Sequence, residues 1–261
     1  MSQPTTSTMP LLFVGHGNPM NAIEATPYAA AWEAMGKTLP KPRAILCISA
    51  HWETMGTMVT AMPQPPTIHD FFGFPDNLYQ ITYGAPGSPE LAAEVQQLIS
   101  ATSVAADLRW GLDHGAWSVL RRLFPAADIP IVQLSLDRQA TPQQHIDIAR
   151  QLLPLRQRGV LIVGSGNLVH NLQLIRWQDP TPYPWAEEFD QMVRQLILAG
   201  DLARLANYRE LGEAARRSIP TNEHFLPALY PLALRQPGEE VTFFAEGIDL
   251  GSISMRSFRI G

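Results

Sequence analysis

The sequence predicts a single α/β domain with a mainly parallel central sheet and helices on both faces. Short apolar runs alternate along the chain with longer amphipathic stretches. The runs are partly β-branched and free of charge, which is typical of strands buried on both sides. A length of 261 residues fits one domain, and no repeat, linker or shift of composition divides the chain. We expect residues 1–9 to form a flexible tail and residues 10–261 to form the domain.

The individual elements follow from these patterns in chain order. Strands are predicted at Pro10–Val14, Arg43–Ala50, Ile129–Leu136, Gly159–Gly164, Glu240–Ala245 and Ser252–Ile260. Helices are predicted at Ser88–Ser100, Thr141–Leu155, Trp185–Ala199, Asp201–Asn207 and His224–Leu234. In the second helix, Thr141 precedes a proline and Gln144 stands where a capping box needs it. The stretch Pro63–Pro89 is rich in proline and aromatic residues and too long for an ordinary connection, which favours a binding loop.

Composition excludes several classes of protein. The formal charge is −5 and the pI about 5.8, so a basic surface for nucleic acid is not expected. No run approaches the roughly 20 apolar residues of a membrane helix, and the N-terminus lacks the pattern of a signal peptide. The single cysteine, Cys47, excludes an intrachain disulfide and a thiolate zinc cluster, and its place inside a strand predicts burial. We expect a cytoplasmic monomer or small homo-oligomer that binds neither nucleic acid nor a membrane.

Histidines follow three of the predicted strands. His16 and His51 come directly after the first and second strands, and His170 comes just after the fourth. The carboxyl ends of parallel strands share one edge of a sheet, where ligands bind. His224 opens a predicted helix behind the candidate N-cap Asn222, and the helix dipole there would keep the imidazole neutral, as metal ligation requires. A metal site at this edge is the prediction for His16 and His51.

Other side chains leave alternatives open. His114 lies between glycines, where it can serve as a second-shell or catalytic group or can stabilise a turn. We place His69, Phe71 and Phe72 at a substrate pocket, where aromatic walls suit a flat ring. The alternatives are that His69 only hydrogen-bonds Asp70 and that the phenylalanines belong to the core. His145 lies on an ordinary amphipathic helix, and we assign it no function. Neither the G-x-S-x-G nor the H-E-x-x-H motif occurs, which removes the common serine hydrolase and zincin signatures.

Several separate motifs together resemble one enzyme family, the class III extradiol ring-cleavage dioxygenases, and within it the DOPA 4,5-dioxygenase branch. The motifs, in this order, are GHGNP, SAHWE, HDFFGFP, GLDHGAW, GSGNLVHNL and NEHFLPAL. The resemblance runs from about residue 10 to the C-terminus. It implies a catalytic domain over residues 10–261 that opens the ring of a small aromatic diol, a DOPA-like catechol, with O₂.

By this resemblance, His16, His51 and His224 hold a non-haem metal, expected to be Fe(II). His170 would be the acid/base and a possible fourth ligand, and His114 would donate a hydrogen bond to oxygen or substrate. Protocatechuate-type relatives have a glutamate as third ligand, where this chain has His224, as the DOPA branch does. Three histidines and a water also form a familiar zinc site, so a purified sample could carry Zn(II).

Two other functions use the same histidines. A zinc hydrolase would use a metal-bound hydroxide as nucleophile and would work without O₂. A metal-binding or protein-binding module that had lost catalysis would keep the metal histidines but would not need His170, His114 or the aromatic loop. All three features are present, which favours the ring-cleaving enzyme.

Overall fold

A six-stranded sheet forms the centre of the structure, a computed structural model that describes residues 8–261. The strands are β1 Leu11–Gly15, β2 Ala44–Ser49, β3 Glu53–Thr54, β4 Thr57–Thr60, β5 Val104–Asp107, β6 Ile131–Gln133, β7 Leu136–Asp137, β8 Val160–Gly166, β9 Val241–Phe244, β10 Ile248–Asp249, β11 Ile253–Ser254 and β12 Ser257–Ile260. The central order is β6-β2-β8-β1-β12-β9, and the other six strands form three two-stranded pairs. Residues 1–7 of the predicted tail lie outside the described residues.

The first four strands of that order run parallel, and the last two run antiparallel to their neighbours. The register places Leu11 opposite Ile162 of β8 on one side and Ile260 of β12 on the other. The prediction of a mainly parallel sheet is therefore confirmed. As a result, β1, β2 and β8 end at the same edge of the sheet.

Helices cover both faces of this sheet, as predicted. They are α1 Pro27–Thr38, α2 Asp76–Tyr79, α3 Pro89–Leu98, α4 His114–Leu123, α5 Pro142–Gln151, α6 Leu153–Gln157, α7 Pro184–Ala199, α8 Leu202–Ala206, α9 Glu213–Ser218 and α10 Leu226–Ala233. Short 3-10 helices span Pro19–Ala22, Leu172–Leu174 and Tyr208–Glu210. No helix within residues 8–261 has the length and apolar character needed to cross a membrane.

Successive residues of β1, β2 and β8 point to opposite faces of the sheet and so belong to two separate hydrophobic cores. In β2, Leu46 and Ile48 pack into the core that α3, α5, α7 and α10 cover. Ile45 and Cys47 face the opposite core, under α1 and α4. This alternation follows from the two-residue period of a strand and explains why the strand runs are apolar throughout. The predicted burial of Cys47 is confirmed, and burial raises the pKa of its thiol well above the ordinary value.

Four predicted elements are interrupted or shortened. The strand predicted over Ile129–Leu136 divides into β6 Ile131–Gln133 and β7, which pairs with β3 outside the central sheet. The helix predicted over Thr141–Leu155 has its capping box but divides into α5 and α6, because Pro154 cannot donate to the carbonyl of the preceding turn. The final strand divides into β11, whose Ser254 pairs with Ile248 of β10, and β12, which pairs with β1 and β9 in the central sheet. The helix predicted from His224 begins only at Leu226. The chain there forms a turn in which the carbonyl of Asn222 accepts hydrogen bonds from two backbone N–H groups, so Asn222 is not a side-chain N-cap.

Candidate metal centre

Three of the predicted ligands meet at the carboxyl edge of the sheet. His16 follows β1, His51 follows β2, and His224 stands two residues before α10. Their ring centroids form a nearly equilateral triangle, with separations of 5.0 Å between His16 and His51, 5.2 Å between His16 and His224, and 5.0 Å between His51 and His224. One ligand atom from each ring lies within 4.8 Å of the other two. Residues far apart in the chain thus present three imidazoles to one point.

Two glycines allow this close approach. A Cβ atom on Gly166, at the end of β8, would stand 2.1 Å from the carbonyl oxygen of His224. A Cβ atom on Gly115, in the first turn of α4, would stand 2.9 Å from the ring of His51. A Cβ atom does not approach a non-bonded heavy atom this closely, so a larger residue at either position would displace a histidine. Glycine is therefore required at position 166 because the backbone of His224 packs directly against it.

Hydrogen bonds fix the orientation of the imidazoles. The hydroxyl of Ser165 donates to the carbonyl of Gly115 at 2.6 Å and lies 3.0 Å from Nδ1 of His16. Because the hydroxyl has only one proton, Nδ1 of His16 must be the donor, which leaves the lone pair on Nε2. Nδ1 of His224 lies 3.0 Å from the carboxylate of Glu223, and a carboxylate is an acceptor, so its lone pair is also on Nε2.

This donor set fits a divalent transition metal. Nδ1 of His51 lies 3.2 Å from a carboxylate oxygen of Asp70, which also favours a lone pair on Nε2. That Nε2 atom is 3.1 Å from Nε2 of His16. Two lone pairs at this distance repel each other unless a cation lies between them. An oxygen partner on the outer nitrogen of each imidazole is the usual arrangement around protein-bound metals, and such a neutral imidazole set suits zinc, iron or copper.

The electrostatics of the site keep His16 and His224 unprotonated. Burial lowers the pKa of His16 well below 6.5, and the charges of His51, His114 and His170 lower it further. Burial likewise lowers the pKa of His224, with added effects from the same neighbours. The predicted neutrality of His224 is therefore correct, but its cause is burial, since no helix begins at that residue.

Asp70 lies between a candidate ligand and the candidate hydrogen-bond donor. Its Oδ2 is 3.2 Å from Nδ1 of His51, and its Oδ1 is 3.0 Å from Nδ1 of His114. Oδ1 also accepts the backbone N–H of His114 at 2.8 Å. Burial opposes ionisation of this carboxyl, yet the two histidines outweigh that effect and hold its pKa well below the ordinary value. Asp70 is therefore a carboxylate that ties the two imidazoles together.

His114 is the first residue of α4, not part of a turn between glycines. Asp113 caps this helix by accepting the N–H of Ala116, and it also accepts hydrogen bonds from Ser49 at 2.6 Å and Gln133 at 2.7 Å. The His114 ring lies 3.9 Å from the ring of His51 and 5.7 Å from the ring of His16. Burial lowers the pKa of His114, with Asp70 opposing the shift. Its Nδ1 lies within ion-pair distance of the Asp70 carboxylate, at an angle that does not suit a hydrogen bond.

His170 lies flat against His224. The two rings are 3.5 Å apart and inclined by 8°, and the His170 N–H is anchored on the carbonyl of Ser218. Burial, with the charges of His51 and His114, lowers the pKa of His170 to about 3. A ligand atom of His170 groups with Glu223 and His224, not with the three-histidine set, so its role as a fourth ligand stays a prediction.

A cavity of about 430 Å³ opens from these histidines to the surface. We call His16, His51 and His224 the floor of this cavity. His16 and His224 are buried, and His51 is partly buried. We call Phe72, Leu172 and Trp177 its rim, since they line the same cavity and are 92%, 58% and 67% exposed.

The predicted pocket residues divide at this cavity. Phe71 and Phe72 line it, as does Phe74. His69 is not among the lining residues. Its Nε2 instead lies 3.0 Å from the carbonyl of Ile81, and its ring packs against Trp117. Nε2 of His69 therefore does not bond Asp70, and His69 does not line the cavity.

Sequence reasoning missed three groups that hold the floor: Asp70, Ser165 and Glu223. Neighbours on a helix point about 100° apart, which would direct Glu223 away from His224 if the helix began there. The two residues precede the helix, so that argument does not apply to them. Asp70 directly precedes the phenylalanines of the long loop, and a carboxylate beside a predicted substrate pocket is itself a candidate site residue. Nothing in the sequence identified Ser165 as a partner of His16.

Known proteins match this chain over most of its length. Residues 14–239 match the family model described as the catalytic LigB subunit of aromatic ring-opening dioxygenase. The chain is 47% identical to 4,5-DOPA dioxygenase extradiol of Escherichia coli (strain K12), over 98% of this chain and 96% of that protein. It is 36% identical to the enzyme of the same name from Beta vulgaris, over 95% and 94% of the two chains. A solved structure of an uncharacterized protein from Escherichia coli K12 covers 97% of this chain and 100% of its own, with a TM-score of 0.85 and 43% identity.

Proposed function

This chain belongs to the LigB family of aromatic ring-opening dioxygenases, and from that premise we propose that it opens the ring of a catechol with O₂, beside a hydroxyl group. The metal is held by His16, His51 and His224. The observation that carries the proposal is the floor itself, in which three imidazoles converge, two buried and one partly buried, with their outer nitrogens beside oxygen atoms. The names of the relatives support a DOPA-like catechol as substrate.

The metal proposed here is Fe(II). Held by the three histidines, Fe(II) would supply Lewis acidity toward the catechol and a redox centre for its reaction with O₂. Both oxygen atoms end in the product, so the reaction consumes no external reductant. The protein's own contribution is to hold, orient and desolvate the reactants and to move protons.

His170 is the proposed acid/base. Burial lowers the pKa of this imidazole, so the ring is neutral near pH 7 and has a lone pair toward which a catechol hydroxyl can direct its proton. The ring stacks on His224 and lines the cavity, so it adjoins both the floor and the substrate.

His114 and the aromatic wall position the reactants. His114 lines the cavity, and its ring stands edge-on to Phe71 with centroids 5.4 Å apart. We propose that it donates a hydrogen bond to bound oxygen or to the substrate, with Asp70 holding its orientation. Phe71 would pack against a planar ring in the way that aromatic pairs prefer.

The test is to load the metal-free protein with Fe(II) under anaerobic conditions and then to add a catechol in air. We expect one O₂ consumed for each ring-opened product, followed by oxygen uptake and by absorbance. The matched control is the Zn(II)-loaded protein, which has no redox chemistry and should consume no O₂. No uptake across a panel of catechols would overturn the proposal. Ester or amide hydrolysis by the zinc form would then identify a hydrolase, and the absence of both activities would identify a binding protein.

A further inference from the structure

Asp113 and Asp190 are the two buried carboxylates within residues 8–261. Asp190 has a cationic partner, because the guanidinium group of Arg256 donates to both of its oxygens at 3.1 Å. No lysine, arginine or histidine of the described residues forms an ion pair with Asp113. Since burial of an unpaired charge is strongly unfavourable, the position of Asp113 calls for a positive charge that these side chains do not supply.

Four hydrogen-bond donors surround the Asp113 carboxylate. Its Oδ1 accepts the N–H of Ala116 at 3.0 Å and the hydroxyl of Ser49 at 2.6 Å. Its Oδ2 accepts the side-chain amide of Gln133 at 2.7 Å and the indole N–H of Trp110 at 3.3 Å. Three of these donors, the backbone, amide and indole groups, cannot accept a proton in return. The surroundings therefore hold Asp113 as an anion, although none of them carries a positive charge.

The capping of α4 does not require this charge. Asp113 is the N-cap of the helix, but a hydroxyl caps a helix about as well as a carboxylate does. In the same fold, Thr26, Ser88 and Thr141 cap α1, α3 and α5 with hydroxyl groups. An anion buried at the start of α4 therefore costs free energy that capping alone does not return.

The same carboxylate lies beside a floor histidine. A Cβ atom built on Gly115 would stand 3.3 Å from Oδ1 of Asp113 and 2.9 Å from Cδ2 of His51, so the two groups flank one point. Cδ2 is bonded to Nε2, the ring nitrogen that we propose binds the metal. Ser49 adds a second connection, because its hydroxyl donates to Asp113 and accepts the backbone N–H of His51 at 3.3 Å. The anion is therefore within electrostatic reach of a cation at the floor.

A divalent cation at the floor needs negative charge from outside its ligands, because neutral imidazoles supply none. Asp70 and Glu223 supply part of it, and each lies against a ligand imidazole. Asp113 contacts no ligand imidazole through a ring nitrogen and has no cation of its own. We propose that Asp113 is a positioning residue whose buried charge stabilises a divalent metal at the floor, in addition to holding α4 and the backbone of His51. This inference rests on the proposed function, since it requires the metal.

The first test removes the charge. Asp113→Asn keeps the shape of the side chain and caps a helix well, but it is neutral. The Zn(II) dissociation constant of the metal-free protein is measured by competition with a chelator, without substrate. We expect Asp113→Asn to raise that constant about 10–100-fold. Asp201→Asn is the matched control and should bind like the wild type, because Asp201 caps α8 and does not line the cavity.

A double variant returns the charge at the neighbouring side chain. Oε1 of Gln133 accepts the backbone N–H of Asp113 at 3.2 Å, so its amide nitrogen faces the carboxylate. In Asp113→Asn/Gln133→Glu, the carboxylate at position 133 keeps that acceptor and receives the amide at position 113. One negative charge and both hydrogen bonds between the two residues are thus retained. We expect most of the lost Zn(II) affinity to return. A folded double variant that binds as weakly as the single variant would overturn the inference.

The charge of the probe ion separates electrostatics from geometry. Coulomb energy is proportional to the charge of the ion, so the loss for Cu(I) should be about half as large as the loss for Zn(II) on a logarithmic scale. A loss of roughly 10–100-fold for Zn(II) then corresponds to one of about three- to tenfold for Cu(I). Cu(I) affinity is measured with a chelator under anaerobic, reducing conditions. An equal loss for the two ions would assign Asp113 to geometry alone and overturn the inference.

A second neutral variant keeps the test available if Asp113→Asn does not fold. In Asp113→Ser, the hydroxyl caps α4 and leaves room for water beside Gln133 and Trp110, and the same rise in the Zn(II) dissociation constant is expected. Circular dichroism of the metal-free protein establishes that each variant is folded.

Metal binding and turnover fail separately in these experiments. A wild type that binds Zn(II) tightly and turns over no catechol would refute the proposed ring opening and leave this inference standing. A wild type that binds no metal would refute both. Wild-type affinity for Zn(II) in the folded neutral variants would refute the inference alone.

Discussion

The floor and the rim of the cavity are built in opposite ways. Floor histidines stand at strand ends or on a turn docked against β8, and each has an oxygen partner on its outer nitrogen. Rim side chains stand on connecting segments, are apolar, and are more than half exposed. The sheet therefore fixes where the chemistry occurs, while the segments around it are free to vary with the substrate. The following predictions test whether these two regions act separately.

The largest effect is expected from removal of a floor imidazole. In His16→Ala or His51→Ala, the remaining donors are too few for stable chelation, so bound metal should fall below about a tenth of an ion per chain and turnover should disappear. Metal content by mass spectrometry and O₂ uptake are the measurements. His145→Gln, a buried histidine outside the cavity, is the control. Stoichiometric metal in either alanine variant would contradict the assignment of that histidine as a metal ligand.

His170→Ala should separate chemistry from metal binding. Loss of the proton acceptor should reduce kcat by about 10²–10⁴-fold, while metal content stays at the wild-type level. Activity near that of the wild type would contradict the acid/base role. A parallel loss of metal would instead place His170 in the ligand set.

His145 separates burial from ligation. This ring is enclosed like the floor, but its nitrogens lie 3.0 Å from the hydroxyl of Tyr230 and 3.3 Å from the carbonyl of Asp137. Burial lowers its pKa to about 4 from 6.5. The unfolded chain therefore binds more protons between these values, and stability falls as the pH drops from about 6.5 toward 4.

By pH 4.5 this residue should reduce the free energy of unfolding by roughly 2–3 kcal/mol relative to pH 7. Denaturant titrations at the two pH values should show a smaller loss in His145→Gln, whose amide does not titrate. An identical loss in the variant and the wild type would mean that the buried ring does not contribute.

Asp70→Asn tests the contact that joins two imidazoles. The amide keeps the size of the side chain but removes the charge that orients His51 and His114, so metal affinity should fall about 10–100-fold. Competition with a chelator measures it. Asp76→Asn, in the same loop at the start of α2, is the matched control and should match the wild type. An unchanged affinity in Asp70→Asn would mean that the floor does not need this carboxylate.

The smallest effect is expected at the rim. Phe72→Ala removes an exposed ring, so the free energy of unfolding should change by less than about 0.5 kcal/mol. KM for an apolar catechol should rise by about three- to tenfold, with a smaller change in kcat, because contact is lost equally in the bound and reacting states. A large fall in kcat with KM constant would show that the rim also takes part in the chemistry.

The sequence made the floor predictable because strand ends are visible in it. Apolar runs locate β1 and β2, and a histidine directly after each must lie at the shared edge. Pairing partners are not visible in this way. The contact between Ser165 and His16 depends on the order of strands in the sheet, and that order is a tertiary property. Asp70 meets His51 and His114 only because a loop folds back over the strand ends.

Two helices show which local signals were available. Thr26 and Pro27 start α1 in the same way that Thr141 and Pro142 start α5, so the first helix was also predictable. In α4, Asp113 is a typical N-cap, but the glycines around His114 favoured a turn. Gly115 is there because His51 and Ser49 leave no room for a Cβ. Tertiary crowding selected a residue whose local preference points elsewhere.

The positions of the floor histidines have a consequence for folding. His16, His51 and His224 belong to segments that only the folded chain brings together, so the unfolded chain offers no equivalent site. A cation that binds all three would act as a reversible cross-link across most of the polypeptide, and its binding free energy would add to the stability of the native state. The melting temperature should therefore rise with occupancy, and thermal denaturation in the presence of different ions would rank them without any substrate.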